Sequence, residues 1–305
     1  MSRARNVSVI LHVGPHKTGS SSIQALLASQ RDTLASLGVF VPDGVSDEYP
    51  GHHMVPFALW DRDISSLGGS DVDDLSKHLA SWLESAWETG CSRLVLSAED
   101  LSTMTDEQWG QLAEDLTVAQ RIADIHIDSL NVCVTDRDLE ARVRSTAREL
   151  VKGGASDSAE VLEGLLRADI PTQDHAIAEF VSQLPMPTRV IRTPFEGEDF
   201  VKRWCEINLG SEIAEHIPRD ALERRINEML SENTLEQLRE FNRLNAPRAG
   251  LNPLHPFSTL DSEEERLAFE RLKMFRWVLA ERDRYYTEMN RLAYRLTELR
   301  EEWEN

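Results

Sequence analysis

An α/β fold is predicted, a parallel β-sheet flanked by helices with a long helix at the C-terminal end, and three observations predict it. Short runs of apolar and β-branched residues alternate along the chain with stretches of 3-4 helical spacing, the pattern of strand–helix–strand units. The runs read as nearly continuous apolar segments, as strands covered on both faces do. The first of them, Val7 to Val13, passes through a glycine turn directly into a helix. In such sheets ligands sit beyond the carboxyl ends of the strands, so the turns that follow strands are where function is sought.

In order along the chain, Val7 to Val13 is the first strand, stopped by Gly14 and Pro15, and the first helix is expected from about Thr18 to Leu37, with Gly38 past its end as a C-terminal cap. Val39 to Val41 is a short strand closed by Pro42. A polar loop then carries the adjacent histidines His52 and His53. Asp71 to Thr89 has helical spacing through Val72, Leu75, Leu79, Trp82, Leu83 and Ala86, and ends at Gly90. Arg93 to Ser97 is the third strand and leads into Ala98, Glu99 and Asp100; Thr105 caps a helix that starts at about Asp106. Leu130 to Val134 is the next strand, followed by a helix bearing Arg142, Arg144, Ser145, Arg148 and Lys152. A late strand follows at about Arg189. Ala221 to Asn245 is helical, with Ile226, Leu230, Leu235 and Leu238 on its inner side. The organisation expected is a domain over residues 1–246, a proline- and asparagine-rich linker over 247–261, and a helical segment over 262–305. That last segment is read as one helix of about 40 residues from its spacing, either a coiled-coil arm that makes a homo-oligomer or a helix packed back on the domain.

The chain of 305 residues is long enough for an ample core. It carries 53 Asp plus Glu against 33 Lys plus Arg, a net charge of −20, which argues against bulk nucleic-acid binding and against an anionic membrane surface. Cys91, Cys133 and Cys205 are far apart and odd in number, suiting buried thiols in a reducing compartment and neither a disulfide framework nor a metal site. No stretch approaches the ~20 apolar residues of a membrane span. A cytoplasmic protein with no membrane span, no nucleic-acid partner and no metal is expected.

Against that acidic background, no acidic residue occurs before Asp32, and Arg3, Arg5, Lys17 and Arg31 are the formal charges up to that point. The turn after the first strand aims backbone N–H groups and a helix N-terminus at one spot, which attracts anions. Lys17 adds a full positive charge, and Thr18, Ser20, Ser21 and Ser22 add hydroxyl donors. The plain alternative is a strand-to-helix turn with hydroxyl caps and nothing bound. A nucleotide triphosphatase loop reads GxxxxGK[ST], with lysine directly after the second glycine. Here Gly14 and Gly19 have that spacing, but Ser20 follows Gly19 and the lysine precedes it by two places.

The wording HVGPHKTGSSSIQALL instead resembles the 5′-phosphosulfate loop of the sulfotransferases, and within them the opening of the bacterial sulfotransferase family, a strand followed by HxGxxKTGTSSIQ; Ser20 stands where threonine is commoner. A second stretch, TDRDLEARVRSTAREL, resembles the arginine-to-serine motif with which those enzymes hold the 3′-phosphate of their donor. Arg137 and Ser145 reproduce its spacing and Arg142 its inner arginine, while Leu139 replaces the usual proline. Read without the first loop, the same stretch is an exposed helix face with ion pairs one turn apart. A third stretch, RVIRTPFEGEDFVKRWCEINLG, resembles the family's late strand, and its Arg192 either reaches the ligand or pairs with a neighbouring carboxylate.

The resemblance implies a sulfotransferase fold related to the P-loop NTPases. It also implies transfer of a sulfuryl group from 3′-phosphoadenosine 5′-phosphosulfate (PAPS) to a hydroxylated acceptor such as a carbohydrate. Lys17 would stabilise the leaving oxygen. Gly14, His16, Lys17, Thr18, Gly19, Ser20, Ser21 and Ser22 would hold the 5′-phosphate, and Arg137 and Ser145 the 3′-phosphate. A hydroxyl acceptor needs a general base; His53 is the first candidate, then Glu99 at the end of the third strand, then His52, with His16 placed to orient the loop. Two other classes stay open, a P-loop kinase or other nucleotide-binding protein, and a non-catalytic scaffold that keeps the fold and assembles through its last helix.

Overall fold

The computed structural model describes residues 5–14, 18–44, 50–60, 74–152, 161–164, 166–167, 177, 180–181, 184, 186–195, 199–223 and 232–245. The chain divides into two compact units, residues 1–142 with 168–227, and residues 143–167 with 228–305.

The first unit is built on a five-stranded sheet: β1 (Asn6–His12), β2 (Val39–Phe40), β3 (Arg93–Ser97), β4 (His126–Asp136) and β5 (Thr188–Pro194). The order across the sheet is β2-β3-β1-β4-β5 and every neighbouring pair is parallel. The first strand in sequence is thus the central one. Alternation along each strand sends side chains to opposite faces, and both faces are covered. Val7, Val9, Leu11, Leu94, Leu96, Val132 and Val134 join one apolar core with helices α3 (Met54–Leu59), α4 (Leu75–Glu88) and α5 (Asp106–Ala123). Ile10, Val95 and Cys133 point the other way, into a core with α1 (Ser20–Ser29), α2 (Arg31–Ser36) and α7 (Phe200–Asn208). This arrangement of helices over both faces is the predicted α/β fold.

Local chemistry explains the element ends. Thr105 accepts from the Gln108 amide while the Gln108 side chain accepts from the Thr105 amide, a reciprocal cap that starts α5 where the sequence places it. Gly38 adopts φ +80° just past α2, the left-handed turn that ends it.

Three expectations are corrected. The first helix starts at Ser20, because Gly19 at φ +85° keeps Thr18 out of it, and it breaks at Gln30, whose ψ of 18° restarts the chain as α2. The loop after β2 contains α3, with Pro56 in its first turn, where a missing N–H removes no intrahelical bond. The fourth strand runs on both sides of the apolar run Leu130 to Val134, from His126 to Asp136. The helix expected over Ala221 to Asn245 is described as two pieces, Arg219–Glu223 and Glu232–Asn245, with 224–231 outside the described residues.

A helix α6 (Leu139–Lys152) starts in the first unit and continues into the second. In the second unit Val143, Ala147, Val151, Leu162, Leu166, Leu235 and Leu238 are buried, and the Asn242 side-chain amide donates to the Val151 carbonyl at 2.8 Å. The expected linker over 247–261 and the C-terminal helix over 262–305, with any homo-oligomer it would make, lie outside the described residues. Among the described residues no helix is long and apolar enough to cross a membrane.

Candidate functional site

The carboxyl end of β1 is pinned from both sides. The Ala98 amide donates to the His12 carbonyl at 3.2 Å, and the Val13 amide to that of Cys133 at 3.0 Å. Gly14 follows, and a Cβ there would fall 2.2 Å from Ser20 Oγ and 2.6 Å from His12 Nε2, so only glycine fits. Ser20 Oγ donates to the Gly14 carbonyl at 3.0 Å, closing the far side of the turn on its near side. Gly19 is needed twice over: its φ is +85°, and a Cβ would meet Phe200 at 2.6 Å and Phe195 at 2.8 Å. Helix α1 therefore opens at the end of the central strand with no acidic residue in its first turn, the electrostatics an anion requires. Thr18 is buried, Ser20 is committed to the turn, and Ser21 and Ser22 are half-buried. His16 and Lys17, the predicted loop-orienting and leaving-oxygen residues, lie outside the described residues.

Beneath this turn is His12, which the sequence reading passed over. Its ring is fully buried, its Nδ1 shares a 2.7 Å hydrogen bond with Ser97 Oγ, and its edge meets the Trp204 ring at 5.2 Å between centroids. Burial lowers its pKa to about 3, with the Glu99 charge pulling the other way, so the imidazole is neutral.

His52 and His53 are adjacent in sequence and separate in role. The Ser97 amide donates to His52 Nδ1 at 2.9 Å, which leaves the proton on Nε2, and that nitrogen donates to the Pro42 carbonyl at 3.2 Å. Both nitrogens are committed to backbone, the ring is buried, and burial lowers its pKa to about 4. His52 is thus a rivet between the loop and the end of β3, and its candidacy as a general base is withdrawn. His53 lies at the N-terminus of α3 with Nδ1 2.6 Å from Asp100 Oδ2. An ionised carboxylate only accepts, so the proton of the neutral ring sits on Nδ1 and Nε2 carries the lone pair. A Cβ on Gly51 would be 2.6 Å from that Nε2 and 2.9 Å from the amide Nε2 of Gln24, one helical turn after Ser20. His53 is in this way brought to the first turns of α1, near the N-terminal end of that helix. Glu99 opens a short 3-10 turn over Glu99–Thr103, half-buried, with its charge felt at His12.

The second predicted corner meets the first through a phenyl ring. Arg137 follows the end of β4, and its guanidinium lies 4.9 Å from the centroid of Phe195. Phe195 packs on Phe200 at 4.7 Å, and both rings close on Gly19. One aromatic side chain therefore touches the turn at Gly19 on one side and carries the Arg137 cation on the other. The Asp138 carboxylate accepts from the Ala141 amide at 2.9 Å and caps α6; Arg142 is buried one turn in, and Ser145 is half-buried further along, in the second unit. Of the two options for Arg192, the structure takes the carboxylate: its guanidinium pairs with Asp136, both groups about half exposed.

Four residues of the site escaped the sequence reading. Gln24 and His12 carry a signal in hindsight, since each is polar within an apolar strand or helix face. Asp100 stands next to a named candidate, and Phe195 has no signature. Among the described residues no group of three or more His, Cys, Asp or Glu could hold a metal.

No protein-family model matches the chain, and no curated protein matches it. Among solved structures it is similar to the "Sulfotransferase Domain from the Curacin Biosynthetic Pathway", with 14% sequence identity and a TM-score of 0.36, over 89% of this chain and 99% of that one.

Proposed function

We propose that the chain is a sulfotransferase that moves a sulfuryl group from PAPS to a hydroxyl acceptor. The observation that carries the reading is the turn from Gly14 to Ser20, closed on a helix N-terminus, with the Arg137 guanidinium over Phe195, the ring that also faces Gly19. The residues fit such a donor. Its 5′-phosphosulfate needs N–H and hydroxyl donors where no side chain intrudes, and both glycines of the turn stand where a Cβ would collide. Its 3′-phosphate needs a guanidinium.

Bound there, the donor supplies the sulfuryl group, and the chain supplies position and charge. Lys17, in the turn, neutralises charge growing on the oxygen that leaves with the 5′-phosphate, while the amides and hydroxyls of Thr18 to Ser22 hold that phosphate. Arg137 takes the 3′-phosphate. Transfer requires the attacking and leaving oxygens in line. His53, whose ring meets Gly51 beside Gln24 of α1, takes the acceptor's proton, and Glu99 is the second group at that end of the sheet able to do so. No step calls on a metal.

Calorimetric titration of the full chain with 3′,5′-bisphosphoadenosine tests the reading. Micromolar or tighter binding is expected without magnesium, weakened at least ~10-fold by Arg137→Ala through loss of a charge-assisted phosphate contact, and weakened likewise by Lys17→Ala. No binding, or a preference for ATP that requires magnesium, would remove the sulfotransferase reading in favour of a nucleotide-binding one.

A further inference from the structure

We propose that Asp100 is the positioning residue for His53 and that Gln24 orients the acceptor, which makes the acceptor a neutral alcohol; the inference rests on the sulfuryl-transfer reading above. Its starting point is a polar side chain out of place. Gln24 sits on the inner side of α1 between Ile23 and Leu26, is buried, and its amide nitrogen has no hydrogen-bond partner among the described residues. A buried donor left unmade costs free energy that an apolar residue would avoid, so the amide is held for a partner that arrives. That nitrogen and His53 Nε2 converge on Gly51, at 2.9 Å and 2.6 Å from the position of a would-be Cβ. The 2.6 Å contact from Nδ1 to Asp100 puts the ring proton on the far side and leaves Nε2 an acceptor.

A donor beside an acceptor is the complement of a hydroxyl group. The O–H is given to His53 Nε2, and one oxygen lone pair accepts from Gln24. An alcohol has a second lone pair for the sulfur; a neutral amine has only one, which Gln24 would occupy. In the transfer step the acceptor oxygen forms a bond to sulfur, and the bond from sulfur to the 5′-phosphate oxygen breaks with its electron pair going to that oxygen. The acceptor proton passes to His53 Nε2. Asp100, partly buried behind the ring, stays ionised and stabilises the imidazolium, as a carboxylate behind a catalytic histidine does.

The test has a spectroscopic arm and a kinetic arm. Long-range nitrogen–proton NMR of the histidine-labelled full chain reads the tautomer of the neutral His53 ring directly. That ring is expected with Nδ1 protonated and Nε2 bare, and Asp100→Asn is expected to invert the assignment. A wild-type neutral ring that carries its single proton on Nε2 overturns the dyad, and that measurement needs no variant to fold. In the kinetic arm, sulfate release from PAPS is followed with water as the hydroxyl acceptor, alongside affinity for 3′,5′-bisphosphoadenosine. Asp100→Asn should lower the rate ~10²–10⁴-fold and Gln24→Leu about 100-fold, with bisphosphate affinity unchanged in both. Wild-type rates in either variant, or no sulfate release from a chain that binds the bisphosphate, overturn the proposal. Failure to bind the bisphosphate sinks the sulfuryl-transfer reading and the alcohol assignment with it, while the tautomer still decides the role of Asp100.

Discussion

Acidification should unfold this protein through two buried histidines that catalyse nothing. His12 and His52 are neutral in the fold, with pKa values lowered by burial to about 3 and about 4, while in the unfolded chain each titrates near 6.5. Between those values the unfolded state binds more protons than the folded one. Their contribution to stability is therefore whole above about pH 6.5 and is lost progressively as pH falls towards the folded values. At pH 5 nearly all unfolded imidazole is protonated and nearly none of the folded, so each residue costs about 2 kcal/mol relative to pH 8. Urea unfolding followed by tryptophan fluorescence reads this well, because Trp204 lies against His12 and Trp82 against His52. A loss of about 2 kcal/mol per residue lowers the urea midpoint by about 1 M each. His52→Gln keeps an acceptor for the Ser97 amide and a donor for Pro42 while removing the titration, so its midpoint should fall about half as steeply between pH 7 and pH 5. Equal pH dependence in the two proteins, or a wild-type midpoint that stays flat to pH 5, would refute the argument.

Other outcomes follow from the same geometry. Gly19→Ala forces a Cβ into the left-handed region and onto two phenyl rings; a loss of about 1–3 kcal/mol is expected, with weaker bisphosphoadenosine binding by calorimetry. Thr105→Ala removes one half of the reciprocal cap on α5 and should cost about 1 kcal/mol in chemical denaturation. Burial pushes the Cys133 thiol far up and that of Cys205 to about 12, and Cys91 is buried too. Ellman's reagent at pH 8 should find no reactive thiol until denaturant is added; prompt reaction at Cys133 would contradict its burial.

What the sequence made legible was local. The apolar run at Val7, the glycine past α2, the Thr105 cap and the turn between Gly14 and Gly19 each follow from the conformational demands of a few neighbouring residues. The start of β4 was illegible because His126 to Ser129 holds a single apolar residue, Ile127, and its pairing with β1 shifts register between Val7 and Ser8. Side-chain partnerships across the sheet were illegible for a different reason. Asp100 and His53 lie 47 residues apart, and Arg137 meets Phe195 only because β4 and β5 end side by side. No local propensity encodes such meetings. The loop bearing His52 and His53 reads as polar and exposed, yet both rings are buried, since each nitrogen hydrogen bond is made by groups distant in sequence.

The strand order has a consequence during synthesis. β1 is made first but ends between β3 and β4, so one of its two edges has no partner until residue 136 has been added. At ~5–20 residues per second the ribosome needs roughly 6 to 25 seconds to provide it. For that interval VSVILHV is a β-branched, uncharged strand with an open edge, the kind of segment that nucleates aggregation. Soluble yield on overexpression should accordingly respond to chaperones that hold nascent chains more than to any stabilising change in the finished fold.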